Sequence, residues 1–143
     1  MKRNGIVLFT TVIMTFFACH HTVKSQTPKE VKEAFQTKYP GENDPDWEID
    51  SHGNYESHFK IDGIKYRADF SPTGNWIETE TNIKKEDLPE PIVTALKENY
   101  GSEFITEIEK VESATKGLFY DVEFKRKGKN KDVEFRASGE EVK

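Results

Sequence analysis

From Thr27 onward the apolar positions of the chain fall into two kinds of spacing, and the two alternate. In TPKEVKEAFQTKYPG, Thr27 to Gly41, the apolar residues Val31, Ala34, Phe35 and Tyr39 share one helical face. Thr27 reads as an N-cap, Pro28 as the first helical residue and Glu30 as part of a capping box, while Pro40-Gly41 ends the helix. The spacing then changes to strict alternation. Trp47 to Asp50 predicts a short strand. Tyr55 to Ile61 predicts a longer one with Tyr55, Ser57, Phe59 and Ile61 on one side. Asp62-Gly63 predicts a two-residue hairpin turn of type I′, and Ile64, Tyr66, Ala68 and Phe70 return on the same side. After the turn Ser71-Pro72-Thr73-Gly74-Asn75, Trp76 to Thr81 predicts a fourth strand.

The second half repeats this order. DLPEPIVTALKENYG, Asp87 to Gly101, carries Ile92, Ala95, Leu96 and Tyr100 on one helical face, with Asp87 or its neighbour as cap and Pro89 and Pro91 in the first turn. Val31, Ala34, Phe35 and Tyr39 match Ile92, Ala95, Leu96 and Tyr100 at a constant offset of 61, which also relates Trp47 to Ile108. The offset then becomes 65 and matches Tyr55, Phe59, Gly63, Phe70 and Gly74 to Tyr120, Phe124, Gly128, Phe135 and Gly139. The change implies a four-residue insertion, placed in Ser113-Ala114-Thr115-Lys116-Gly117. The pattern predicts an α+β fold, a tandem repeat of one helix plus about four antiparallel strands, over residues 27–83 and 84–143. One sheet face is buried under the helices, and the sheets of the two repeats join or abut.

The first 18 residues are of another kind. Lys2 and Arg3 precede an apolar run from Ile6 to Ala18 that is shorter than the roughly 20 residues a membrane span needs, so residues 1–18 read as a signal peptide. Phe16-Phe17-Ala18-Cys19 partly matches a lipobox, making Cys19 a candidate for lipidation, while Val23-Lys24-Ser25 offers an ordinary cleavage site. Residues 19–26 read as a tether. Localisation is therefore expected to be exported, in the periplasm or cell envelope, with Cys19 as the candidate lipid anchor. Cys19 is the sole cysteine, which excludes an internal disulfide.

Composition adds less. Apolar residues make 34% and aromatics 12%, enough for a thin aromatic core. The formal net charge is −5, and losing Lys2 and Arg3 with the leader takes it to −7, which excludes a general nucleic-acid binder.

VKEAFQTKYPG, DWEID, GNYESHFKIDG, ADFSPTGNWIETE and DLPEPIVTALKENYG together resemble the PepSY-like proteins of Bacteroidota-type cell envelopes and, through them, the tandem fold of beta-lactamase inhibitory protein. The likeness spans about Thr27 to Lys143. The second half departs from it, with Gly101 where the first repeat has Pro40, Glu141 for Trp76 and Lys131 for Tyr66. The resemblance implies an exported, non-catalytic module that restrains a peptidase or another envelope enzyme.

Candidate chemistry is sparse. His20, His21, His52 and His58 have no partner at metal-ligand spacing, and the acidic stretch Glu42 to Asp46 lacks the glycine and distal glutamate of a calcium loop. No metal, cofactor or catalytic set is expected, and an enzyme is the least favoured class. The outward side of the predicted sheet is more informative. An Asp62-Gly63 turn sets Lys60 opposite Lys65, His58 opposite Arg67 and Glu56 opposite Asp69. In the second half Glu123 falls opposite Asp132 and Asp121 opposite Glu134. Like charges in register cost a fraction of about 1 kcal/mol each, so a face shaped for stability alone would avoid them unless diagonal neighbours such as Lys125 and Arg136 offset the charge. His58, Lys60, Lys65, Arg67, Asp121, Glu123, Asp132 and Glu134 are therefore candidate partner-binding residues. Trp76 joins them as an aromatic anchor, or else packs as a structural residue. The expected partner is a protein of the cell envelope, with a structural or small-ligand role as the alternative.

Overall fold

The computed structural model describes residues 26–142. The leader, the lipidation candidate Cys19, His20, His21 and all of the tether except Gln26 lie outside the described residues.

Two helices and seven strands follow in the order α1 (Lys29–Lys38), β1 (Asp46–Ile49), β2 (Tyr55–Ile61), β3 (Ile64–Phe70), β4 (Trp76–Asn82), α2 (Glu90–Tyr100), β5 (Ile105–Ser113), β6 (Gly117–Phe124) and β7 (Lys131–Phe135). The strands form one antiparallel sheet in sequence order. The architecture is α+β. The sheets of the two halves join directly, because β4 pairs with β5 from Glu78 opposite Ser113 to Asn82 opposite Glu109.

The predicted faces are the ones that pack. Val31 and Phe35 of α1 are buried against Phe59, Ala68 and Phe70, with Tyr39, Trp47, Tyr66 and Trp76 around them. Ile92 and Leu96 of α2 are buried against Ile108, Tyr120, Val122, Phe124, Val133 and Phe135. Register carries one side of the sheet through Ala68, Thr79, Glu112 and Lys110 to Tyr120 and Phe135, so both helices cover the same face. The aromatic rings meet edge-on or tilted around Phe35, whose centroid lies 5.1 Å from Phe59 and 5.5 Å from Trp47.

The β2–β3 turn has both central residues at positive φ, Asp62 at 52° and Gly63 at 80°, as a type I′ turn requires. Gly74 and Gly139 are needed for a further reason. A Cβ on Gly74 would stand 2.7 Å from the carbonyl oxygen of Glu30, and one on Gly139 would stand 2.7 Å from that of Pro91. In each half a turn of the sheet thus touches the backbone of the covering helix. A tyrosine at the end of each helix also reaches a later segment: the Tyr39 hydroxyl bonds to Thr79 of β4, and the Tyr100 hydroxyl donates to Glu141 at 2.6 Å.

Three expectations need correction. Thr27 does not cap α1. The helix begins at Lys29 with Pro28 at its N-cap and no side-chain capping bond, and Thr27 is buried instead. Asp87 does not cap α2, which follows Pro89. It closes a 3₁₀ turn, Lys85–Asp87, by accepting from the Lys84 amide at 3.2 Å. The fourth strand of the second half shrinks to one bridge, Phe135 with Glu141. β4 is held from both sides by β3 and β5, whereas the Glu141 segment has a neighbour on one side only. The sheet therefore has seven strands rather than eight.

Candidate functional site

With both helices on one face, the other face of the sheet carries what the alternation leaves outside. The register is the predicted one: Lys60 opposite Lys65, His58 opposite Arg67, Glu56 opposite Asp69, Glu123 opposite Asp132 and Asp121 opposite Glu134. All the charged candidates therefore share this face. Trp76 does not. It packs against the first core on the helix side, its indole N–H donates to Thr79 at 2.9 Å, and the Lys38 ammonium lies 3.7 Å from its ring centre. That contact consumes the ring, as expected for a packed tryptophan.

The joining of β4 to β5 adds residues that reasoning within each repeat overlooks. Glu78 and Glu80 point to the open face beside Asp69 and Arg67, and Glu107 and Glu109 follow on β5 beside Glu123 and Asp121. Alternation within ETETN and ITEIEK contained the signal, but only the β4–β5 register shows that the two rows adjoin. Together Arg67, Glu80, Glu107, Glu109, Asp121, Glu123 and Asp132 line a hollow of about 270 Å³.

Its electrostatics are lopsided. Arg67 is the one cation of the lining, and its guanidinium is paired with Glu80, with Asp69 at 3.7 Å and with Glu56 at 4.0 Å. The remaining acids have weaker help. Asn82 donates to Glu107 at 2.6 Å and Asn130 to Glu123 at 2.9 Å. Lys116 neutralises Glu134 through both carboxylate oxygens at 2.7 and 2.8 Å, at the far edge of the face. The offset expected from Lys125 and Arg136 is not what forms. Arg136 donates to the Lys116 and Leu118 carbonyls, and Lys125 lies 5.9 Å from the Phe104 ring.

The protonation of the acids reflects this. Burial, reinforced by Glu56 and Glu78 and opposed by Arg67, raises the Asp69 carboxyl to about 6. Burial, reinforced by Asp132, Glu134 and Glu109, raises Asp121 to about 6. Glu80 is held well above the usual carboxylate range by burial and then by Glu109 and Glu78 against the pull of Arg67. Burial raises the neighbouring Glu109 as well, with Glu107 adding to the shift and Arg67 opposing it. Even so, Oδ1 of Asp69 and Oδ1 of Asp121 are enclosed without a hydrogen-bond partner.

Against the expectation that His58 has no partner at metal-ligand spacing, one group among the described residues does have that spacing, because β1 pairs with β2. Glu48, Glu56 and His58 bring a ligand atom each within 4.8 Å of one another on the β1–β2 part of the face. His58 Nε2 already lies 2.7 Å from Glu56 Oε1, and Arg67 stands beside the other oxygen of that carboxylate, so these donors are already engaged with each other. Glu48 and the His58–Glu56 pair are the residues that would hold an ion.

Comparison with known proteins gives concordant results. A family model described as "Putative beta-lactamase-inhibitor-like, PepSY-like" matches residues 53–140. No sequence among the curated proteins matches the chain. Several solved structures share the fold. A DUF2874 family protein from Bacteroides uniformis is 18% identical with a TM-score of 0.74, covering 82% of this chain and 88% of its own. A structure from Bacteroides eggerthii described as "putative periplasmic proteins" is 17% identical with a TM-score of 0.73, covering 82% and 87%. A BLIP-like protein from Bacteroides fragilis is 22% identical with a TM-score of 0.70, covering 82% and 84%.

Proposed function

The chain belongs to the PepSY-like, beta-lactamase-inhibitor-like family, and from that premise we propose that it is a non-catalytic, exported binding protein that docks another envelope protein on its open sheet face. The observation that carries the reading is the division of the sheet. Both cores lie on one side, and the other side keeps a field of like charges in register that no described element covers. Such a face costs stability in the free protein, and a partner of suitable charge would return it. The role we favour is restraint of a peptidase or hydrolase by occlusion, which asks no chemistry of this chain. The description of the B. eggerthii relative agrees with a periplasmic setting. Among the described residues no helix is long and apolar enough to cross a membrane, and Cys19 is the candidate for a lipid anchor.

We read the fold as two copies of one unit, residues 27–83 and 84–143. The matched contacts of Gly74 with Glu30 and of Gly139 with Pro91 support that reading. The alternative function is a structural or small-ligand envelope protein. The test is capture from envelope extract followed by assay of the purified partner's hydrolytic activity. Stoichiometric loss of that activity, relieved by reversing charge at Asp121 and Asp132, is the expected result. A captured enzyme that stays fully active would leave only the alternative. Palmitate labelling lost in Cys19→Ala would place the anchor.

A further inference from the structure

The hollow between β3 and β7 has six carboxylates and one guanidinium in its lining, and the guanidinium's ion pairs with Glu80 and Asp69 lie on the β3–β4 side, its Nε being enclosed without a hydrogen-bond partner. Toward β6 and β7 the acids face one another across every strand: Glu107 opposite Glu123, Glu109 opposite Asp121, Asp121 opposite Glu134 and Glu123 opposite Asp132. The protein meets this deficit of positive charge in two provisional ways. Glu80 and Glu109, both largely enclosed, are held above the usual carboxylate range by burial. Asp121, in the lining, leaves one enclosed oxygen unpaired, and so does Asp69, which lies outside the lining on the same face. Raised carboxyls and an orphaned acceptor are both features that a cation with several donors would relieve.

Resting on the docking reading above, we propose that this hollow seats a lysine or arginine side chain carried on a basic loop of the protein partner. Charge complementarity selects the occupant. The hollow, at about 270 Å³, admits an ammonium or guanidinium head with part of its stem and excludes a whole element of secondary structure. An arginine's five donors, spread over a planar fork, suit acceptors placed on four different strands. A bare metal ion suits them less. The carboxylates of the hollow are not among the described residues that bring three ligand atoms within 4.8 Å of one another. The basic end of the face, at Lys60 and Lys65, repels the same loop and so fixes which way it lies.

Protons are exchanged in the event. The groups concerned are Glu56, Arg67 and Asp69 on β2 and β3, Glu78 and Glu80 on β4, Glu107 and Glu109 on β5, Asp121 and Glu123 on β6, and Asp132 and Glu134 on β7. A seated cation lowers the affinity of these acids for protons, so its binding releases protons and tightens as pH rises.

Calorimetric titration of the full chain with a tetra-arginine peptide at low salt tests this. Repeating it in buffers of different ionisation enthalpy counts the protons. Net proton release and binding about fivefold or more tighter at pH 8 than at pH 5 are expected. Asp121→Asn with Asp132→Asn is expected to weaken binding about tenfold, and Glu33→Gln with Glu98→Gln, on the exposed helix surfaces, to leave it unchanged. Equal weakening by both pairs would reduce the effect to net charge and overturn the proposal. So would calcium chloride binding that the hollow variants abolish in a protein indifferent to the peptide. An envelope partner held as firmly by Asp121→Asn with Asp132→Asn as by the parent would overturn this inference while leaving the docking reading intact. A protein that binds tetra-arginine at the hollow but captures no envelope protein would separate the two in the other direction.

Discussion

At the scale of single residues, Arg67 decides how much charge the open face bears. Its side chain reaches three carboxylates, Glu56, Asp69 and Glu80, and about a third of it remains in water. Arg67→Met is therefore expected to cost about 1–2 kcal/mol at pH 8, less than a fully buried pair would, because solvent screens part of the attraction. At pH 5 the loss is expected to shrink, since Asp69, raised to about 6, then carries a proton and needs no counter-ion. The parent protein follows the same logic. Carboxyls raised in the folded state bind protons that the unfolded chain gives up. Their contribution to stability is complete below the ordinary carboxylate value near pH 4 and is lost as pH rises. For Asp69 and Asp121 the loss runs to about pH 6, and for Glu80 it continues above that. Asp50 and Glu103 shift the other way, Asp50 because hydrogen bonds from Asn54 and His52 outweigh its burial and Glu103 because Arg126 bonds to it, and they offset part of this effect. Urea unfolding at pH 5 and pH 8 should show the higher midpoint at pH 5. A higher midpoint at pH 8 would mean that the face is not strained by its own charge.

At the scale of elements, the turn glycines separate two demands that a sequence states with the same letter. Gly63 and Gly74 both have positive φ, but a Cβ on Gly63 meets nothing within 4 Å, whereas one on Gly74 strikes the Glu30 carbonyl of α1. Gly63→Ala is expected to cost about 1 kcal/mol from the backbone alone, and Gly74→Ala about 2–3 kcal/mol because helix and turn must also part. Equal thermal shifts for the two would deny the close approach. The sequence announces the glycine but not the helix above it, because that contact joins residues 44 positions apart. The same holds for the open face. Hairpin register within each half was legible, since Asp62-Gly63 fixes every pair from Lys60–Lys65 to Glu56–Asp69. The acidic hollow was not, since it depends on β4 meeting β5 across α2, a pairing that no turn dictates. The helix caps failed for a local reason. Prolines at 28 and 89 end the extended segments themselves, and each helix starts one residue later without a side chain on its free amides.

At the scale of the whole molecule, two cores sit under one sheet, and they share no buried residue. Either could in principle melt alone. Against that, each half holds fewer than 60 described residues, a size at which a core without disulfide or metal is marginal. The halves are welded by the β4–β5 ladder, whose loss would expose two strand edges at once. Cooperative unfolding of the entire sheet follows. The chain carries its own reporter, because both tryptophans, Trp47 and Trp76, lie in the first core and none in the second. Phe124 is fully buried in the second core, and Phe124→Ala should cost about 3–5 kcal/mol through the cavity it leaves. If the sheet is one cooperative unit, tryptophan fluorescence, which sees only the first half, will shift to lower urea by the same interval as far-ultraviolet circular dichroism. Fluorescence that holds its parent midpoint while the dichroism splits into two steps would make the halves separate folding units. The hollow, which takes residues from both, would then be no more rigid than the ladder between them.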